Sequence, residues 1–125
     1  MSPIIISSTD DTPGIKLDAA NEIFEITGRS LPEDVTKFYK PILDWLEEYG
    51  KSPNPKTVFE FRLSYFNTAS SKIIMDILFK LEAMFDAGND VSINWNFPSD
   101  DEEMEEAGKE YSEIVETIPI RLVEY

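Results

Sequence analysis

Two periods run through this chain. Period two is clearest from Thr57 to Phe66, where Phe59, Phe61, Leu63 and Tyr65 alternate with Glu60, Arg62 and Ser64. Such alternation predicts a strand with one buried and one wet face. Val91 to Phe97 repeats it, with Val91, Ile93, Trp95 and Phe97 against Ser92, Asn94 and Asn96. The wet face should therefore present Glu60, Arg62, Ser64, Asn94 and Asn96. Ile4 to Ile6 reads as a very short strand. Ile15 to Asp18 and Asn21 to Thr27 read as a hairpin with a connection of two or three residues, closed by Gly28. From Ile114 to Val123 alternation returns, and Pro119 there predicts an edge or a bend.

Helical period separates these strands. Val35, Phe38, Tyr39, Ile42, Leu43, Leu46 and Tyr49 form one stripe. Ser30-Leu-Pro-Glu33 precedes it as a capping box, with Ser30 as N-cap and Pro32 in the first turn. Pro41 inside the stripe predicts a kink or two helical pieces, because it removes one backbone hydrogen bond. A second helix runs from about Ser70 to Asp86, with Ile73, Ile74, Ile77, Leu78, Leu81 and Phe85 inward, and Gly88 ends it. A third, capped by Ser99, spans Asp100 to about Ser112. The order is β-β-β-α-β-α-β-α-β. It predicts one α/β domain over residues 1–125, of the α+β two-layer sandwich kind: a mixed sheet with amphipathic helices mainly on one face.

Composition narrows the chemistry. The 125 residues carry 25 acidic and 11 basic side chains, a net charge of -14. Nucleic acid and anionic membrane surfaces would be repelled, and basic protein surfaces would be attracted. The charge also predicts a monomer when the protein is alone. With no cysteine and no histidine, disulfides, thiolate nucleophiles and the commonest general base and metal ligand are missing. No segment has the roughly 18 apolar residues of a membrane span. The start lacks the basic region of a signal peptide, so the expected location is cytoplasmic. No cofactor motif occurs. The five glycines form no phosphate-binding loop and read as turn residues. The acidic run Asp100 to Glu106 lacks the ligand spacing of a calcium loop and reads as a solvated face or a docking surface for a basic partner.

The richest stretch is the junction from the best strand into the best helix: Tyr65, Phe66, Asn67, Thr68, Ala69, Ser70, Ser71 and Lys72. Asn67, Thr68, Ser70 and Ser71 are all N-cap candidates. One cap meets the structural need, so the surplus hydroxyls read either as plain capping chemistry in a loop or as a phosphoacceptor. A helix N-terminus accommodates a phosphate through its free N–H groups and dipole.

These same residues carry a resemblance. Phe61-Arg-Leu-Ser-Tyr-Phe-Asn-Thr-Ala-Ser-Ser-Lys72 with Ile73 to Glu82 resembles the signature of the SiaC family of bacterial regulatory phosphoproteins. Leu31-Pro-Glu-Asp34, Phe38-Tyr-Lys-Pro-Ile-Leu43 and the Trp95 strand with its acidic helix agree. The likeness covers about residues 12 to 123, and Ala69 stands where the family usually has Ser. It implies a fold reminiscent of anti-sigma-factor antagonists (STAS-like) and a partner switch without enzymatic activity. A cognate serine/threonine kinase would phosphorylate Thr68, and a metal-dependent protein phosphatase would reverse this. The unphosphorylated form would bind an effector through residues 65–68 and 70–72. By resemblance that effector is a diguanylate cyclase, linking the protein to cyclic di-GMP and biofilm formation. A small carboxylate-based or metal-dependent hydrolase is the alternative from another class.

Overall fold

The computed structural model describes all residues, Met1–Tyr125. Six strands and three helices follow in the predicted order: β1 (Ile4–Ile6), β2 (Gly14–Asp18), β3 (Ile23–Ser30), α1 (Val35–Tyr49), β4 (Lys56–Phe66), α2 (Thr68–Asp86), β5 (Asp90–Phe97), α3 (Glu102–Ile114) and β6 (Ile120–Glu124). They form one mixed sheet in the order β1-β2-β3-β4-β5-β6. The first two pairings are antiparallel. The last three are parallel, each bridged by a helix. The connection between β2 and β3 takes four residues, one or two more than expected, and Pro119 lies just before β6 rather than inside a longer strand.

Strand residues of one parity fill the core. Ile15, Leu17, Phe24, Ile26, Phe59, Phe61, Val91, Ile93 and Trp95 are buried together with the inner stripes of the helices. Trp95 is fully buried, and its indole N–H donates to the Met104 carbonyl at 2.9 Å. That bond removes the penalty of a buried donor. The opposite face is more polar, as predicted, with one exception. Asn96 is 3 % exposed, because its amide donates to Glu60 Oε1 and to the Phe61 carbonyl. No helix is long and apolar enough to cross a membrane.

Several local expectations change in three dimensions. Ser30 is not a cap: it ends β3, buried, and α1 begins at Val35 with Asp34 as N-cap, accepting from the Lys37 N–H at 3.1 Å. α1 runs as one helix through Pro41. Pro41 lies on the solvent side, where water can satisfy the carbonyl that loses its partner. α2 starts at Thr68, two residues early, and ends in a Schellman motif. There the Asn89 N–H donates to the Met84 carbonyl and the Gly88 N–H to that of Phe85, with Gly88 at φ 101°. α3 is capped by Asp101 rather than Ser99. Gly108 sits inside α3, not at a turn. A Cβ there would lie 2.4 Å from Trp95 Cδ1, so the glycine lets α3 approach the sheet closely.

The alternation of β4 breaks at its end. Gly28 lies opposite Leu63, but Arg29 lies opposite Tyr65, so Ser64 is an extra residue in the ladder. Such a bulge inverts the faces beyond it. Tyr65 turns outward, 42 % exposed, beneath the Arg29 guanidinium 5.1 Å from its ring centre. Phe66 turns inward against Trp95 and Tyr111.

Candidate functional site

The bulge delivers the chain from β4 into α2 at Asn67. Asn67 is extended (φ -87°, ψ 175°) and its side chain accepts from the Ser70 N–H at 2.8 Å. Of the four cap candidates, Asn67 is therefore the cap. Thr68 is the first helical residue, exposed. Its carbonyl accepts the Ser71 hydroxyl at 2.8 Å, while its own hydroxyl has no partner within the protein. The first intrahelical bond is made by the Ser71 N–H to the Asn67 carbonyl. The N–H groups of Thr68 and Ala69 precede it and have no intrahelical partner.

Ser70 behaves differently from its neighbours. It is fully buried, and its hydroxyl donates to the Ser30 carbonyl at 2.8 Å. The Ser30 hydroxyl donates to Ser70 Oγ at 2.9 Å and lies 2.6 Å from the Tyr39 hydroxyl. Burial pushes the Tyr39 phenol up to about 12. Ser70 is thus turned into the interior, away from any docking partner, whereas Thr68 and Lys72 are exposed and Ser71 is half-buried.

A groove of about 560 Å³ opens beside Thr68, between α2 and α3. Phe66, Met75, Ala107, Tyr111 and Ile114 give it an apolar floor. Asn67, Thr68, Ser71, Lys72, Asp76 and Glu110 form its polar margin. Tyr111 spans it: its hydroxyl donates to the Ser71 carbonyl at 2.9 Å, and burial raises its pKa well above the ordinary phenol value. Tyr65 lies outside this groove, in a smaller hollow with Ser64, Asp101 and Glu103. The structure thus brings Phe66, Asn67, Thr68, Ser71 and Lys72 together, and separates Tyr65 and Ser70 from them. The α3 wall was missed by sequence reasoning. Its signal is the spacing of Ala107, Tyr111 and Ile114 at i, i+4 and i+7, one face of a helix.

The acidic start of α3 is accounted for locally. Glu102, Glu103 and Glu105 occupy its first turn, where they offset the helix dipole, and Asp101 is spent as the cap. No group of three or more acidic side chains gathers as a metal centre requires.

Comparison with known proteins assigns this architecture. A family model described as SiaC family regulatory phosphoprotein matches residues 6–125. An uncharacterized protein of Pseudomonas aeruginosa (strain UCBPP-PA14) is 32% identical over 113 residues, 90% of each chain. The crystal structure of apo-SiaC from Pseudomonas aeruginosa superposes with a TM-score of 0.88 at 30% identity, covering 98% of this chain and 99% of that one. A further match is to a crystal structure of the diguanylate cyclase SiaD in complex with its activator SiaC, from the same organism. Its TM-score is 0.91 at 29% identity, with coverage of 98% and 99%. With the family model spanning nearly the whole chain, this protein belongs to the SiaC family of regulatory phosphoproteins.

Proposed function

We propose that this protein is a non-enzymatic switch whose docking state is set by phosphate on Thr68. The unphosphorylated form binds and activates an effector, and the phosphorylated form releases it. A cognate serine/threonine kinase adds the phosphate, and a metal-dependent phosphatase removes it. The effector is a diguanylate cyclase, by likeness to SiaC, the activator found in complex with SiaD. The output is then cyclic di-GMP and biofilm formation, and the protein works in the cytoplasm as a monomer until it meets a partner.

One observation carries the reading. Thr68 presents an unbonded, exposed hydroxyl at the first residue of α2, on the margin of a groove with an apolar floor. A kinase can reach that hydroxyl without unfolding anything. A phosphate there adds about two negative charges beside Asp76 and Glu110, where a partner would otherwise bury apolar surface. Its effect on docking is repulsion and desolvation rather than unfolding.

The test is the affinity of the purified protein for a diguanylate cyclase before and after enzymatic phosphorylation, with the phosphosite mapped by fragment mass. Affinity should fall on phosphorylation, and phosphate should map to Thr68. Equal affinities, or phosphate on Ser71 and never on Thr68, would refute the reading.

A further inference from the structure

Hydroxyl protons can be counted around Ser70. The Ser70 hydroxyl gives its single proton to the Ser30 carbonyl. Ser30 gives its own to Ser70 Oγ. The 2.6 Å contact between Ser30 and Tyr39 must then be filled by the Tyr39 proton. The result is a one-way chain from Tyr39 through Ser30 to Ser70 and back to the Ser30 carbonyl. All three residues are fully buried. The chain joins α1, β3 and α2, and it ends two residues from Thr68. The Asn67 N–H also donates to the Ser30 carbonyl, at 3.1 Å. Ser30 therefore fixes where the first turn of α2 lies relative to the sheet.

We infer that Tyr39 and Ser30 are positioning residues for phosphoryl transfer to Thr68: their hydroxyl chain holds the first turn of α2 in the orientation that offers Thr68 Oγ1 to a kinase. This rests on the reading of Thr68 as the phosphoacceptor. In the transfer, Oγ1 bonds to the γ-phosphorus of ATP as the bond to the β,γ-bridging oxygen breaks. ADP leaves, and the hydroxyl proton passes to the kinase's base. In-line attack of this kind is sensitive to the placement of the nucleophile. Packing alone does not require the chain, since a phenylalanine would fill the volume of Tyr39. What the hydroxyls add is a unique orientation.

A control lies on the same helix. The Tyr49 hydroxyl is 2.6 Å from Thr57 Oγ1 and accepts from the Asn54 N–H. It is a buried tyrosine with a hydroxyl partner, but tied to the start of β4, at the other end of that strand from Thr68. Tyr39→Phe, Ser30→Ala and Tyr49→Phe should be compared with the wild-type chain in steady-state phosphorylation by the cognate kinase, with amide hydrogen exchange on the same samples. Tyr39→Phe and Ser30→Ala should lower kcat by about tenfold or more with KM nearly unchanged, because the exposed docking surface is intact. Exchange should quicken at residues 70–72 and stay slow in β4 and β5. Tyr49→Phe should leave kcat and the exchange of residues 70–72 as in the wild type, even where it lowers global stability. Wild-type kcat in both Tyr39→Phe and Ser30→Ala, with phosphate still entering at Thr68, would overturn the inference and leave the phosphoswitch standing. Phosphate entering the wild-type chain elsewhere than Thr68 would overturn both.

Discussion

At its N-terminal end α2 is fastened by buried, neutral hydroxyls, and toward its C-terminal end by a carboxylate near the surface. Ser70 reaches inward to Ser30 and Tyr39. Glu82 reaches outward to the connection between α3 and β6, accepting the N–H groups of Glu116 and Thr117 at 2.8 and 2.9 Å and the Thr117 hydroxyl at 3.3 Å. Asp86 accepts from the same hydroxyl. Neutral bonds in a closed core are indifferent to pH and salt, whereas a carboxylate clasp depends on its charge. The end that displays Thr68 is thus insulated from the medium, and the end that anchors a loop is exposed to it. On the proposed reading of Thr68 as a phosphoacceptor, the first kind of fastening suits a group that answers to a kinase alone.

The largest effect should separate modification from mutation at the N-terminal end. Phosphorylation of Thr68 should weaken cyclase binding by about a hundredfold, on the order of 3 kcal/mol, through like charge and lost apolar contact. Isothermal titration with matched phosphorylated and unphosphorylated samples measures this, and a change below threefold would contradict it. Next in size is Gly108→Ala. The added Cβ meets Trp95 and Leu122, so α3 must move off the sheet, widening the groove beside Thr68 at a cost of roughly 1–3 kcal/mol. Urea unfolding should show a lower midpoint, while the Glu82 clasp keeps its contribution.

Glu82→Ala probes the other end. The Thr117 N–H holds the Glu82 carboxyl below its ordinary value of 4.5. Burial opposes this, and the Glu116 and Ile118 N–H groups and the Thr117 hydroxyl add to it. At pH 7 the substitution should cost about 1.5 kcal/mol, at the low end for bonds to a charged group because water reaches the carboxylate. A depressed folded-state pKa means that the unfolded chain takes up the proton more readily. The clasp's contribution is therefore full above about 4.5 and lost as pH falls through the lower folded value. Unfolding curves of wild type and Glu82→Ala should converge on acidification, and a constant gap down to pH 2.5 would argue against the clasp.

The smallest effects belong to the cap itself. Asn67→Ala should cost about 1 kcal/mol, whereas Thr68→Ala should stay within about 0.5 kcal/mol, since Thr68 is not the cap. Chemical denaturation of both variants would settle the ranking, with the reverse order counting against the assignment.

Much of this architecture was legible in the sequence because β4, β5 and the helices carry their periods in consecutive residues. The misreadings at Ser30, Tyr65 and Gly108 share one cause: they depend on residues far apart. Ser30 fits a local capping signature, but its hydroxyl is claimed by Tyr39 and by Ser70, 40 positions away. Tyr65 fits the alternation of β4, but a register shift against β3 reverses it. Gly108 has the look of a turn residue until Trp95 is placed beneath it. At the site, the junction from Asn67 to Lys72 stood out through its surplus of hydroxyls. The opposite wall did not, since nothing near Tyr111 announces that its hydroxyl meets Ser71 across 40 residues.

The sheet's spatial order has a consequence for how the chain is made. Each strand pairs only with those before and after it, so no strand waits at a ribosome exit for a distant partner to be synthesised. The antiparallel hairpin of β2 and β3 forms from residues close in sequence, and each later helix–strand unit lands on an edge that already exists. Pairings between strands adjacent in sequence carry smaller loop-closure costs than pairings between distant strands would. The exposed apolar edge that invites aggregation moves along the growing sheet and is covered one unit at a time. Thr68 and its supporting hydroxyls are complete once β4 and the first turns of α2 have emerged, whereas the groove beside it closes only when α3 arrives.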